Sequence, residues 1–310
     1  MGLGPDVTGA QLVTRRLFVA LPSWLSWSCS DRERVVSGEL DSKIGAKWVV
    51  VGLRGQVTGV RGRRLGRLHL PEGCQFGPIF GPDGRSAAYI AGSVFDPGRT
   101  LRVVVLVDGV PSTKLIDRVG ETTALAISPT GGVMAVASVS RDVGHRRLVV
   151  VGSNSELRAD LSDLARRLMS EVESLSISAD GNIAFGCRER VIVAEVSSAK
   201  ILFEGDGRFP ALAPDGGSVA FLNGSMIVLR HLTRRTSTSF RLGFRCSGVG
   251  GWHPDGDCFL ASAWVTWSLK KSLLLVNSTS GNYVEVGQLG EGDFGNRCQF
   301  MQNDVLPFGV

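Results

Sequence analysis

The chain has 310 residues, 43% of them hydrophobic, with a formal charge of +5 and a sequence pI near 9.1. That length holds one or two domains with ample apolar side chains for a core, and no apolar run reaches the length of a membrane-spanning helix. Lysine occurs only at Lys43, Lys47, Lys114, Lys200, Lys270 and Lys271, so the positive charge is mostly scattered arginine. Scattered charge of this kind speaks to non-specific attraction alone, and nucleic-acid binding is not expected from it.

In chain order, residues 1–10 are expected to be flexible, and Gln11–Val19 is a lone strand candidate. Arg15-Arg16 followed by Leu17–Leu21 has the basic and apolar parts of an export signal. Trp24–Asp31, however, fits a strand-then-turn pattern that recurs downstream, so a signal would consume part of the first repeating unit. We expect a cytoplasmic protein, with export as the alternative.

The recurring unit is marked by a tight turn. It occurs as Gly81-Pro82-Asp83-Gly84, Ser128-Pro129-Thr130-Gly131, Ser178-Ala179-Asp180-Gly181, Ala213-Pro214-Asp215-Gly216 and His253-Pro254-Asp255-Gly256. Proline presets φ for such a turn and glycine tolerates its exit conformation. Counted with Asp31, the markers lie 35 to 52 residues apart, against the roughly 40 residues of four short strands with hairpin turns. In the second unit the predicted strands are Pro78–Phe80, Ala87–Ala91, Arg102–Val107 and Lys114–Arg118. In the fifth they are Pro210–Ala213, Val219–Leu222, Met226–Arg230 and Thr236–Leu242.

One segment departs from the pattern: between Glu156 and Glu171, Leu157, Leu161, Leu164 and Leu168 recur at helical spacing, and Asn154 or Ser155 is placed to cap the start. We expect a short helix lying on its own blade, with a docking helix for a partner as the alternative. At the C-terminus, Cys298–Asp304 and Val305–Phe308 read as two strands of a further unit with a degraded turn. Paired with Gln11–Val19 they would make a composite blade that ties the two ends of the chain. A unit that repeats in this way cannot bury its apolar face alone and must stack on copies of itself. The expected fold is therefore an all-β propeller of four-stranded antiparallel blades over residues 11–310, seven blades in number with six as the alternative.

Trp27–Ser37, Pro82–Tyr89 and Pro214–Phe221 resemble the WD40-like PD40 repeat of TolB-type propellers, and the resemblance runs from about residue 22 to the end. The Trp-Asp and Gly-His pairs of true WD40 repeats are absent. The resemblance implies a propeller fold. Its family includes partner-binding periplasmic proteins and propellers that gate a fused peptidase domain, and no segment of this sequence is left over for such a domain.

Residues that carry chemistry are sparse. Cys29, Cys74, Cys187, Cys246, Cys258 and Cys298 form no Cys-x-x-Cys pair and lie in or beside apolar strands, so no zinc site is expected. A Gly-x-Ser-x-Gly nucleophile elbow is missing. Gly290–Gly295 matches the letters of a dinucleotide-binding loop but precedes a strand-like segment, where no helix N-terminus would hold a phosphate. His69, His145, His231 and His253 lack metal spacing, and His253 reads as part of its turn. Asp255-Gly256-Asp257 has too few oxygen ligands for a calcium loop. No cofactor or metal is expected.

Recognition is then expected on loops. In a blade the first-to-second and third-to-fourth turns share one end, and here they are short. The variable connections are Glu39–Lys47, Ser93–Thr100, Arg141–Arg147 and Trp264–Lys271, at the other end. They carry the candidate partner-binding residues Phe95, Arg99, Arg141, His145, Arg146, Trp264, Trp267 and Lys270, with Lys271 beside them. Tryptophan beside arginine or lysine is the composition of interface hot spots, and loops on a rigid scaffold commonly carry function. Packing of Trp264 and Trp267 between blades is the competing role. A basic group at Arg54, Arg61, Arg63, Arg64 and Arg67 fits a solvated sheet edge. The expected function is a non-enzymatic protein-interaction scaffold, a subunit of a larger assembly. The alternative is a lyase or hydrolase with an anionic ligand in the central channel, where Glu121, Arg208, Arg245 and Arg297 precede first strands.

Overall fold

The computed structural model describes residues 48–51, 56–58, 64–67, 74–80, 86–91, 100–107, 110–117, 121–128, 132–139, 146–152, 156–167, 171–187, 189–264, 271–289 and 299–302. All of them fall in Val35–Val310, the larger of the two units into which the chain divides.

These residues form six four-stranded antiparallel sheets. Sheet 1 contains β1 (Trp48–Val51), β2 (Gln56–Thr58) and β3 (Arg64–Arg67). Sheet 2 runs β4 (Cys74–Phe80), β5 (Ser86–Ala91), β6 (Thr100–Val107) and β7 (Val110–Asp117). Sheet 3 runs β8 (Glu121–Ile127), β9 (Val133–Val139), β10 (Arg146–Gly152) and β11 (Leu157–Asp160), followed by a single helix turn, α1 (Ser162–Arg167). Sheet 4 has β12 (Ser174–Ile177), β13 (Asn182–Cys187), β14 (Arg190–Glu195) and β15 (Ile201–Asp206). Sheet 5 has β16 (Arg208–Leu212), β17 (Ser218–Asn223), β18 (Met226–His231) and β19 (Thr236–Phe240). Sheet 6 has β20 (Arg245–Trp252), β21 (Cys258–Trp264), β22 (Lys271–Asn277) and β23 (Tyr283–Leu289). The last strand, β24 (Gln299–Gln302), returns to sheet 1 and pairs with β1, Val49 opposite Met301 and Val50 opposite Phe300.

Sheet 1 is thus the composite sheet that joins the two ends of the described chain, with order β24-β1-β2-β3. The partner of the C-terminal strand is Trp48–Val51, where the sequence had suggested Gln11–Val19. Gln11–Val19, whose composite blade with the C-terminal strands made the expected count seven, the Trp24–Asp31 unit and Val305–Phe308 lie outside the described residues. Among the described residues the strand ladders do not continue from one sheet to the next. The first strands are instead neighbours in a circuit: β4 meets β8, β8 meets β12, β12 meets β16, β16 meets β20, β20 meets β24, and β24 meets β4.

Burial follows strand position. In sheets 3, 4 and 6 the second and third strands β9, β10, β13, β21 and β22 are covered on both faces, their central residues all buried. That is why they read as unbroken apolar runs such as Leu148–Val151 and Leu273–Val276 rather than as alternating patterns. The fourth strands β11 and β19 are largely exposed, and β19 is almost wholly polar (Thr236-Ser237-Thr238-Ser239), as suits a sheet edge. The cores lie between sheets: Leu148, Val150, Phe185 and Ile192 join sheets 3 and 4, and Val193, Leu212 and Phe221 join sheets 4 and 5. Leu222, Leu229, Trp252 and Phe259 join sheets 5 and 6. Each such side chain contributes about 1.5–3 kcal/mol on burial, so a blade is stable only with its neighbours.

The helical spacing of leucines resolves differently from expectation. Leu157 belongs to the edge strand β11 and is 57% exposed, while Leu161 and Leu164 are buried. Among the described residues the helix covers Ser162–Arg167, and just before it Asp160 Oδ1 accepts from Ser162 N–H at 3.0 Å; the expected caps Asn154 and Ser155 lie outside the described residues. The ladder bonds of Leu157–Asp160 to β10, with a bulge at Val150/Val151, outweigh the local helical pattern.

Candidate functional site

The two ends of the sheets differ in how completely they are filled. At one end sit the tight turns. Ser128, Ser178, Ala213 and His253 each donate their N–H to the residue that opens the second strand: Val133, Asn182, Ser218 and Cys258, at 2.8–3.0 Å. Gly181, Gly216 and Gly256 close the turns with φ of 86°, 72° and 76°, a region where a side chain is strained. Adjacent turns also touch. Ala179 N–H donates to Pro214 C=O at 3.1 Å, and a Cβ on Gly216 would collide with the Asp180 carboxylate. Asp180 is itself held by Ser178 Oγ, by Asn182 N–H at 3.2 Å and by Asn182 Nδ2 at 2.7 Å. Polar groups at this end are largely committed to the turns.

The other end carries the long connections. Those expected around Ser93–Thr100, Arg141–Arg147 and Trp264–Lys271 do join second to third strands, in sheets 2, 3 and 6. Sheet 6 shows most of what this end presents. Strand register sets Arg245, Trp264, Lys271 and Leu289 in one row across all four strands. Trp264 is 37% exposed, and the Lys271 ammonium stands 4.9 Å from the centre of its ring, a cation-π contact. Arg245 is exposed beside it. Trp264 therefore does not pack between blades, whereas Trp252 does. Exposed Met226, at the β17–β18 hairpin of sheet 5, belongs to the same end.

Of the predicted recognition residues, Arg146 opens β10 opposite Val139, half-buried, in the row that begins with Glu121. Phe95, Arg99, Arg141, His145, Trp267 and Lys270 lie outside the described residues, as does the Glu39–Lys47 connection. Three of the four residues proposed to face a central channel occupy the predicted strand starts: Glu121 opens β8, Arg208 opens β16 and Arg245 opens β20. Arg208 and Arg245 are both exposed, and Arg297 lies outside the described residues. Arg64 and Arg67 lie on β3, the edge strand of sheet 1, where the basic group was placed.

Two features escaped the sequence reading. The first is a cleft of about 430 Å³ beside α1, lined by Asp160, Leu161, Asp163, Leu164, Ala199 and Ile201. Burial pushes the Asp160 carboxyl up, but the Ser162 hydroxyl and N–H and the charges of Arg147 and Arg166 outweigh it and hold its pKa below the ordinary value. The second is a cluster of three donor types at the sheet 6 turn: one ligand atom each of His253, Asp257 and Cys258, all within 4.8 Å of one another. Its signal was unreadable as a spacing rule, because the donors come from one turn and the strand it feeds.

No protein-family description and no curated protein matches the chain. Solved structures do. A candidate TolB from Agrobacterium tumefaciens superposes with a TM-score of 0.53 at 17% identity, covering 83% of this chain and 97% of that one. TolB from Acinetobacter baumannii superposes with a TM-score of 0.57 at 12% identity, covering 82% of this chain and 66% of that one. Neither likeness supports the cytoplasmic expectation, and the Arg15–Leu25 segment on which export would rest is outside the described residues. Among the described residues no helix is long and apolar enough to cross a membrane. At these identities the likeness speaks to architecture, and it shows that the chain has the TolB-like β-propeller fold.

Proposed function

We propose that this propeller is a non-enzymatic interaction module, a subunit of a larger assembly, which binds a protein partner through the long-connection end of its sheets. The observation that carries the reading is the row Arg245–Trp264–Lys271: a solvent-facing indole with an ammonium over its ring and an arginine alongside, held on paired strands. Aromatic and arginine anchors on a rigid frame lose little conformational entropy on binding, which is what an interface hot spot requires. Phe95, Arg99, Arg141, His145, Arg146, Trp267 and Lys270 would extend the same surface from the neighbouring connections.

The test is affinity purification of the full chain at native expression, with identification of co-eluting subunits. A stoichiometric protein partner supports the reading, and recovery of a monomer that turns over a small molecule overturns it. The alternative, a channel enzyme acting on an anionic ligand, draws on the exposed guanidinium groups of Arg208 and Arg245 at the heads of adjacent first strands. It requires in addition a general base and converging ionisable groups.

A further inference from the structure

We propose that His253, Asp257 and Cys258 form a binding site for one zinc-class divalent cation at the sheet 6 turn. The turn itself does not require these side chains. Ser128 and Ser178 stand where His253 stands, and their hydroxyls accept from Val133 N–H at 3.0 Å and Asn182 N–H at 3.1 Å. A serine therefore serves the turn, and Ala213 shows that even the hydroxyl is dispensable. The shared bond from the turn to the second strand aligns Cys258 with Val133 and Ser218, and Asp257 with Gly132 and Gly217. Sheet 6 thus has an imidazole, a carboxylate and a thiol at three positions where sheet 5 has alanine, glycine and serine.

The three donors converge. Their ligand atoms lie within 4.8 Å of one another, while the Zn–N and Zn–S bonds of about 2.0 and 2.3 Å put neighbouring ligands of one ion about 3.5 Å apart. Binding one ion would draw the three donors inward. His253 is 2% exposed and Cys258 fully buried; His253 Nε2 and Asp257 Oδ1 are buried atoms. His253 Nδ1 accepts from Asp255 N–H at 3.3 Å and lies 3.5 Å from the Asp255 carboxylate. That leaves Nε2 as the metal-facing nitrogen. Metal binding at Nε2 would move the ring proton to Nδ1, which would then donate to the Asp255 carboxylate in place of accepting from Asp255 N–H, the arrangement that orients histidine ligands and makes them more basic.

The donor set also selects the ion. Thiolate and carboxylate together carry two negative charges, which neutralise a divalent cation and reduce the cost of burying it. A thiolate with an imidazole nitrogen favours zinc over calcium or magnesium, which take oxygen ligands. Three protein ligands leave a fourth position for water, beside the exposed Asp255. The cation would clamp the turn to the first residue of β21.

The test uses the full-length chain, treated with chelator and reductant and titrated with cobalt(II). The expected result is a thiolate-to-cobalt charge-transfer absorption that saturates at one cobalt per chain and is displaced by zinc. H253S and C258V place in sheet 6 the residues that sheet 3 carries, so both should retain the native circular dichroism and both should lose the band. A wild-type chain without the band overturns the proposal whatever the variants do, and so does a band undiminished in a folded H253S.

Discussion

The indole Nε1–H of Trp252 donates to the carbonyl oxygen of Ala211 at 2.8 Å, a buried bond between residues 41 apart that ties the first strand of sheet 6 to the first strand of sheet 5. The same ring lies 5.1 Å from that of Phe259 on the neighbouring strand. Trp252→Phe keeps the ring contact but leaves Ala211 C=O buried without its donor. We expect a loss of about 1–3 kcal/mol in urea unfolding, with an unchanged far-ultraviolet spectrum.

Contact between neighbouring turns predicts a contrast between two glycines. Gly216 and Gly224 both have positive φ, 72° and 61°. A Cβ at Gly224 meets nothing within 4 Å, whereas at Gly216 it meets the Asp180 carboxylate. Gly224→Ala should cost only the backbone strain of about 1–2 kcal/mol. Gly216→Ala should cost more, because the Asp180 hydrogen-bond network must also shift. Equal losses in thermal unfolding would show that the turns do not abut.

Asp160 gives a pH dependence with a defined sign. Its carboxyl pKa is held below the ordinary 3.8, so at acid pH the folded state binds fewer protons than the unfolded one. The stabilisation is therefore full above the unfolded value and disappears as pH falls through the lower folded one. Asp160→Ala should destabilise by about 0.5–1.5 kcal/mol at neutral pH through loss of its hydrogen bonds to Ser162. The gap from wild type should narrow as the pH is lowered below 3.8.

Burial raises the Cys246 thiol to about 11. The reactive species is the thiolate, so Cys246 should resist alkylation near neutral pH. Peptide mapping should show it modified far more slowly in the native protein than in denaturant. Rapid native labelling would place Cys246 outside the core between sheets 5 and 6.

Much of the architecture is legible because its turns are chemically constrained. Gly181, Gly216 and Gly256 do adopt positive φ, and predicted strands such as Val219–Leu222 and Arg102–Val107 fall within β17 and β6. Leu157 was misread because its spacing to Leu161 and Leu164 suits a helix, while the decisive force is ladder pairing with β10, which no local pattern encodes. The Arg245–Trp264–Lys271 row was only half legible: its residue types were evident, but their alignment depends on register across strands. The His253, Asp257 and Cys258 cluster was hidden for a related reason, since the closure of the turn brings the donors together.

The interaction reading stands or falls on Trp264. The most direct measurement is parallel affinity purification of the wild-type chain, Trp264→Ala and Leu157→Ala, with co-eluting protein quantified by mass spectrometry. Leu157 is the matched control, an exposed apolar residue on the outer strand of sheet 3. Trp264→Ala should lose the partner while Leu157→Ala retains it, with all three chains unfolding at similar temperatures. A partner held equally by Trp264→Ala and wild type would contradict it.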